Sequence, residues 1–166
     1  MDAGGGTGGL AEKLASFGVV SAIDASPEAI RFAKKRGVAA KLASIEKLPF
    51  PDRQFDVVTS IDVIYHRKVS DDVSALREIR RVLKPGGVLI LRVPANRFLM
   101  SAHDRHVHTA RRYGKSELAE KMKKTGLSLK QISFVHLPVF FLSLGKIFFE
   151  KVGHGFSIIV FSSITF

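Results

Sequence analysis

The chain has 166 residues, 46 % of them apolar, which suits one folded domain with a core and excludes a disordered polar chain. It has no cysteine, which excludes disulfides, thiolate metal sites and cysteine nucleophiles and suits a reducing compartment. Its 26 Lys and Arg against 15 Asp and Glu give a net charge of +11, which favours anionic partners (nucleic acid, acidic lipid headgroups or a phosphorylated substrate) or else marks a solvated basic surface.

In chain order, the first half alternates strand-like and helix-like stretches, the pattern of an α/β domain with a mainly parallel sheet. Leu10, Leu14 and Phe17 share a helical face that Gly18 closes. Val19 to Asp24 reads as a buried strand. Ser26 and Pro27 give the next helix its N-cap and first position, and Gly37 ends it. Val38 to Ser44 and Phe55 to Asp62 are further strands. Ser70, Asp71 and Asp72 open a helix whose apolar face is Val73, Leu76, Ile79 and Leu83. Lys84-Pro85-Gly86-Gly87 is a tight break before a strand at 88–93. Residues 96–114 are polar and basic without a clear period. Ser116 to Lys124 reads as a helix, and Leu127 to Val135 as a strand. The tail is apolar: a helix is expected over 137–149 and a strand over 156–161, and neither reaches the ~18 apolar residues of a membrane span.

Asp2 to Gly9 reads DAGGGTGG, in which Gly4, Gly6 and Gly9 fit G-x-G-x-x-G ahead of a helix. Glycines allow the tight turn and let a ligand touch the backbone. Asp24, at the end of the next strand, can accept from both hydroxyls of an adenosine ribose. These features by themselves leave open a dinucleotide or another adenosyl cofactor.

Asp2-x-Gly4-x-Gly6-x-Gly8 resembles the acidic-x-Gly-x-Gly-x-Gly motif of class I S-adenosylmethionine-dependent methyltransferases. The likeness continues through Ile23-Asp24-Ala25-Ser26, through Leu48-Pro49-Phe50 with Phe55-Asp56-Val57-Val58, and through the run from Leu76 to Gly87. Order and spacing resemble the small-molecule group of that class, the methyltransferase domain 11 type, over roughly residues 1 to 135. The resemblance implies a Rossmann-like three-layer sandwich and S-adenosyl-L-methionine as cofactor. One domain is expected, with a cofactor-binding half at 1–95, a basic substrate-side insert at 96–126, and C-terminal strands with an apolar helix at 127–166.

Carried onto this sequence, the resemblance places Asp2, Gly4, Gly6 and Gly8 along the methionine and ribose side of the cofactor. It places Asp24 on the ribose hydroxyls, Ser44 and Ile45 beside the adenine, and Ser60 near the sulfonium. Two departures stand out. Ser44 occupies a position where the family often has Asp, a stronger acceptor for the adenine amino group. Met1 is all that this sequence supplies of the apolar strand that the family sets before Asp2, so the first central strand is expected to be largely missing and the domain truncated.

His66 follows the third strand and is the candidate base, since imidazole titrates near neutrality; a polar loop residue is the plainer reading. His103, Asp104, His106 and His108 suggest a metal, but no H-E-x-x-H pair or cysteine accompanies them, and no metal is expected. The resemblance puts His103, Arg111, Arg112 and Tyr113 on the substrate side, where the arginines suit a phosphate or carboxylate. The function expected is methyl transfer to a small-molecule, sugar or lipid-linked acceptor, anionic in charge, rather than to nucleic acid. A cytoplasmic enzyme is expected, and two readings of the 137–149 helix stay open: packing in the core, or peripheral membrane contact. Two alternatives stay open: a nicotinamide-dependent oxidoreductase, and an inactive truncated binding module.

Overall fold

The computed structural model describes residues 1–95, 108–135 and 157–163. These contain seven strands, β1 (Asp2–Ala3), β2 (Ser21–Asp24), β3 (Ala39–Leu42), β4 (Phe55–Ile61), β5 (Leu83–Pro94), β6 (Ser128–Val135) and β7 (Ser157–Ser163). Four helices accompany them, α1 (Gly9–Leu14), α2 (Pro27–Lys35), α3 (Asp72–Val82) and α4 (Lys115–Lys124). All seven strands form one sheet in the order β3-β2-β1-β4-β5-β7-β6. The strands from β3 to β5 pair in parallel, and β7 runs antiparallel to both β5 and β6. The mainly parallel Rossmann-like sandwich read from the sequence is the fold observed.

The short first strand lies in the middle, as its place in the motif requires. Asp2 is in register with Ala22 of β2 and with Thr59 of β4. The Met1 carbonyl extends this contact by accepting from the Thr59 N–H at 2.9 Å. β1 is two residues long.

The helices form where capping and apolar spacing agree. Ser26 caps α2 by accepting from the Ala29 N–H at 3.3 Å, and Pro27 opens it. Its Ile30 and Ala33 pack with Ala11, Ala22, Val38 and Ala40 into a small core beside β2 and β3. α3 is capped by Asp71, which accepts from the Val73 N–H at 2.9 Å. Ser70, expected to share that task, instead donates to Glu46 at 2.6 Å. Ala75, Leu76, Ile79 and Val82 bury the apolar stripe of α3 in the main core with Val58, Leu89, Leu91, Leu118 and Met122.

Two sequence segments acquire a structural reason. Leu48-Pro49-Phe50 is fastened to α3: the Leu48 N–H donates to Glu78 at 2.8 Å, while Arg81 donates to the carbonyls of Leu48 at 3.1 Å and Phe50 at 2.8 Å. Lys84-Pro85-Gly86-Gly87, read as a break before a strand, is a bulge inside β5. Pairing with β4 jumps from Phe55↔Leu83 to Val57↔Val88 across it. A Cβ at Gly87 would stand 2.8 Å from the Lys84 carbonyl oxygen, so only glycine fits there.

The apolar helix expected over 137–149 lies outside the described residues. Among the described residues no helix is long and apolar enough to cross a membrane.

Candidate cofactor site

The site lies beyond the carboxyl ends of the parallel strands, where strand order reverses at β1, the usual place for a ligand in such a sheet. A cavity of about 270 Å³ opens there. Its wall takes Gly4 from the first turn, Asp24 to Ser26 from the second, Ala43 to Ile45 after β3, and Asp62, Val63, His66, Lys68 and Val69 after β4.

The glycine turn is built on backbone bonds. The N–H groups of Gly4 and Gly5 both donate to the Ile23 carbonyl at 2.9 Å, which binds the turn to the end of β2. Gly4 has φ of +82°, and a Cβ there would stand 2.2 Å from Val63 Cγ2. The loop after β4 therefore touches bare backbone, a contact that any side chain at position 4 would prevent. The Gly6 N–H donates to Asp24 Oδ2 at 2.9 Å. Gly8 precedes α1 in the left-handed conformation, and a Cβ on it would meet the Ala33 backbone at 3.0 Å. Its task is thus helix packing, and Gly8 does not line the cavity.

Asp24 is held from two sides, because the Ser26 N–H donates to its Oδ1 at 2.8 Å. Each carboxylate oxygen takes one backbone bond and keeps acceptor capacity for a ligand. Asp2 is buried: Thr59 donates to its Oδ1 at 2.7 Å, and its Oδ2 has no partner. Burial raises the Asp2 pKa above the ordinary carboxylate value, against the opposing Thr59 hydrogen bond and the nearby N-terminal charge. Neither Asp2 nor Gly6 lines the cavity; Gly6 stands behind it, bonded to Asp24. Ser44 and Ile45 do line it; the Ser44 hydroxyl accepts from the Glu46 N–H at 3.1 Å. Ser60 is fully buried in β4 with its hydroxyl unpartnered, outside the lining set.

His66 lines the cavity and packs near His108, with ring centroids 5.5 Å apart. Its Nδ1 accepts from the Lys68 N–H at 3.1 Å, so the neutral ring carries its proton on Nε2. Burial lowers its pKa, His108 and Lys68 lower it further, and Asp24 opposes them. The ring is therefore neutral at pH 7, with Nε2–H as a donor.

The substrate-side arginines have other uses here. Arg111 donates to the carbonyls of Val69 at 2.9 Å and Ser70 at 2.7 Å. Arg112 is buried and donates to the Ala95 carbonyl at 3.1 Å. Tyr113 is fully buried and its hydroxyl donates to Asp72 at 2.8 Å, so it belongs to the core. His103 lies outside the described residues. Among the described residues no cluster of His, Cys, Asp or Glu is placed to hold a metal.

The resemblance set the loop after β4 beside the pocket but gave no role to Asp62, Val63 or Lys68, which stand in its wall. Asp62 has φ of +62°, unusual outside glycine, and its carboxylate is paired with Arg92. No local motif marks it, since its partner lies 30 residues away on β5.

The sequence model of the methyltransferase domain family matches residues 1–91. The chain is 40 % identical to the ubiquinone/menaquinone biosynthesis C-methyltransferase UbiE of Ectopseudomonas mendocina over 63 % of this chain and 46 % of that one. It thus spans about half the length of the curated relatives it matches. Among solved structures it is similar to an S-adenosylmethionine-dependent methyltransferase of Methanosarcina mazei, with a TM-score of 0.77 and 19 % identity over 98 % of this chain and 90 % of that one. It is also similar to the [4+2]-cyclase SpnF, with a TM-score of 0.74 and 23 % identity over 98 % of this chain and 74 % of that one. At such identities these structures show the fold alone, and one fold hosts more than one chemistry. With the family model covering more than half of its residues, the chain belongs to the methyltransferase domain family, whose cofactor is S-adenosyl-L-methionine.

Proposed function

We propose that this chain transfers a methyl group from S-adenosyl-L-methionine to a small-molecule or lipid-linked acceptor. One observation carries the reading: the Asp24 carboxylate, fixed by the N–H groups of Gly6 and Ser26, stands in the wall of a cavity of about 270 Å³ at the strand ends. Those residues fit the cofactor. Asp24 keeps acceptor capacity for two ribose hydroxyls. Asp2 presents an unpartnered buried oxygen, which suits a cationic amino group better than neutral surroundings. Gly4 offers bare backbone. Ser44 and Ile45 provide a polar and an apolar edge for a base.

When bound, the cofactor supplies an electrophilic methyl group on a sulfonium. The chain's own part is to bind, align and keep water out. His66, expected as a base, is better suited to orienting the acceptor. Its Nδ1 is occupied by the Lys68 N–H, so a proton would have to be taken by the atom facing the backbone. Its Nε2–H instead donates to an oxygen of the acceptor and holds that molecule in line. For the acceptor, the name of the UbiE relatives favours a ring carbon of a quinone precursor. The nicotinamide alternative draws no support from the family match.

The test is transfer of a labelled methyl group from S-adenosylmethionine to purified pools of desmethyl quinol precursors, sugars and small metabolites. Label in the quinol pool supports the reading in full. Label in another pool corrects the acceptor. Tight cofactor binding with no label in any pool favours the inactive binding module.

A further inference from the structure

The cavity wall after β4 runs from Asp62 to Val69 without regular secondary structure, so something other than a helix or ladder must hold its shape. A second stretch, 108–113, does so. The Arg67 N–H donates to the His108 carbonyl at 3.0 Å, and the Ala110 N–H donates to the Tyr65 carbonyl at 2.9 Å. Arg111 then closes the arrangement. Its Nη1 donates to the carbonyls of Val69 at 2.9 Å and Ile64 at 3.4 Å, and its Nη2 to that of Ser70 at 2.7 Å. Three carbonyls from both ends of the wall segment therefore converge on one planar cation.

The far end of the second stretch is fixed independently. The Tyr113 N–H donates to the Pro94 carbonyl at 2.9 Å at the end of β5. Its hydroxyl meets Asp72, which also accepts from Lys121 Nζ at 2.5 Å. Tyr113 and Asp72 are both buried. Arg111 is thus mounted on a base fixed at both Pro94 and Asp72, and it reaches the loop that carries His66, Lys68 and Val69.

We propose that Arg111 is a positioning residue of the cofactor site: its guanidinium curls the 64–70 segment around itself and so sets where His66 and Val69 stand in the cavity wall. This rests on the reading that the cavity binds the cofactor. A planar fork can serve several carbonyls at once, whereas an ammonium is a single point of charge. Lysine at this position keeps the charge and loses the shape. The proposal replaces the expectation that Arg111 binds an anionic substrate.

The experiment compares the full chain with Arg111→Lys and Arg111→Ala. Each is followed by thermal unfolding, by calorimetry with S-adenosylmethionine, and by NMR titration of the His66 ring without ligand. Arg111→Lys is expected to unfold cooperatively, to bind the cofactor about tenfold more weakly because the wall must be ordered on binding, and to titrate His66 at higher pH than the parent. Arg111→Ala is expected to go further in the same direction. An unchanged His66 titration in a folded variant would overturn the proposal. Collapse of the whole fold in Arg111→Lys would overturn it too, by making Arg111 a folding residue. If the parent fails to bind S-adenosylmethionine, the cofactor reading fails, while the His66 titration still decides whether Arg111 sets the wall.

Discussion

The N–H of Gly6 and the carboxylate of Asp24, eighteen residues apart in the chain, lie 2.9 Å apart and join the first βα turn to the second. With the Ser26 N–H on the other oxygen at 2.8 Å, the carboxylate orders both turns before any ligand arrives. Asp24→Asn should therefore affect the unliganded protein. Its amide nitrogen must face one of two N–H donors, leaving a lost bond and a repulsion in place of a charged acceptor. The expected loss is about 1–3 kcal/mol of stability, read by urea unfolding. A variant as stable as the parent would mean that the two turns do not depend on the carboxylate.

Asp2 should behave in the opposite way. Burial raises its pKa in the folded chain above the ordinary carboxylate value. The folded state then binds the proton more tightly than the unfolded state, so stability falls as pH rises from the ordinary value through the raised one. Asp2→Asn removes that fall, and the unliganded variant should match or exceed the parent in melting temperature at pH 7. It should also bind S-adenosylmethionine more weakly, because a negative charge close to Asp24 that attracts the cationic cofactor is lost. Melting curves across pH, with and without cofactor, separate the two effects. A variant with full cofactor affinity would place the amino group away from Asp2 Oδ2.

For His66 the sign is again set by the folded pKa, here lowered by burial first and by His108 and Lys68 after it. Below the ordinary histidine value the unfolded chain takes up the proton first. Stability attached to the neutral ring is complete above that value and is lost as pH falls through the folded pKa. The melting temperatures of the parent and of His66→Gln should therefore keep a constant difference near pH 8 and converge below about pH 6.5, the ordinary histidine value. Parallel curves throughout would show that the ring is not held neutral by its surroundings.

Gly4 and Gly6 make a matched pair. Both have positive φ, +82° and +53°, but a Cβ at Gly4 meets Val63 at 2.2 Å while one at Gly6 meets nothing within 4 Å. Gly6→Ala should cost roughly 1 kcal/mol of stability from backbone strain alone. Gly4→Ala should cost clearly more and should displace Val63 from the cavity wall. Equal unfolding midpoints for the two variants would contradict the close approach of the loop after β4.

The sheet was legible because its signals are local. Asp24 at a strand end, Ser26-Pro27 at a helix start and the glycine turn each declare themselves within a few residues, and together they fix the order around β1. The Leu48-Pro49-Phe50 segment was legible only as a resemblance, and its bonds to Glu78 and Arg81 supply the physical reason. The place of the wall after β4 was legible as a resemblance, but not what holds it. Val63 reaches it by packing on Gly4, and Arg111 holds it from 41 residues beyond Ser70. Such contacts leave no periodicity, so basic residues that brace the backbone read from sequence as basic residues awaiting an anion.

A cofactor site organised by Asp24 must bind S-adenosylmethionine through that carboxylate, and isothermal calorimetry reads this. The chain and its Asp24→Ala variant are each titrated with S-adenosylmethionine and, separately, with NAD. Saturable binding of S-adenosylmethionine at one site per chain is expected, weakened in the variant by about 1.5–3 kcal/mol, with no comparable binding of NAD. Asp24-dependent binding of NAD, or S-adenosylmethionine binding unchanged in the Asp24→Ala variant, would contradict it.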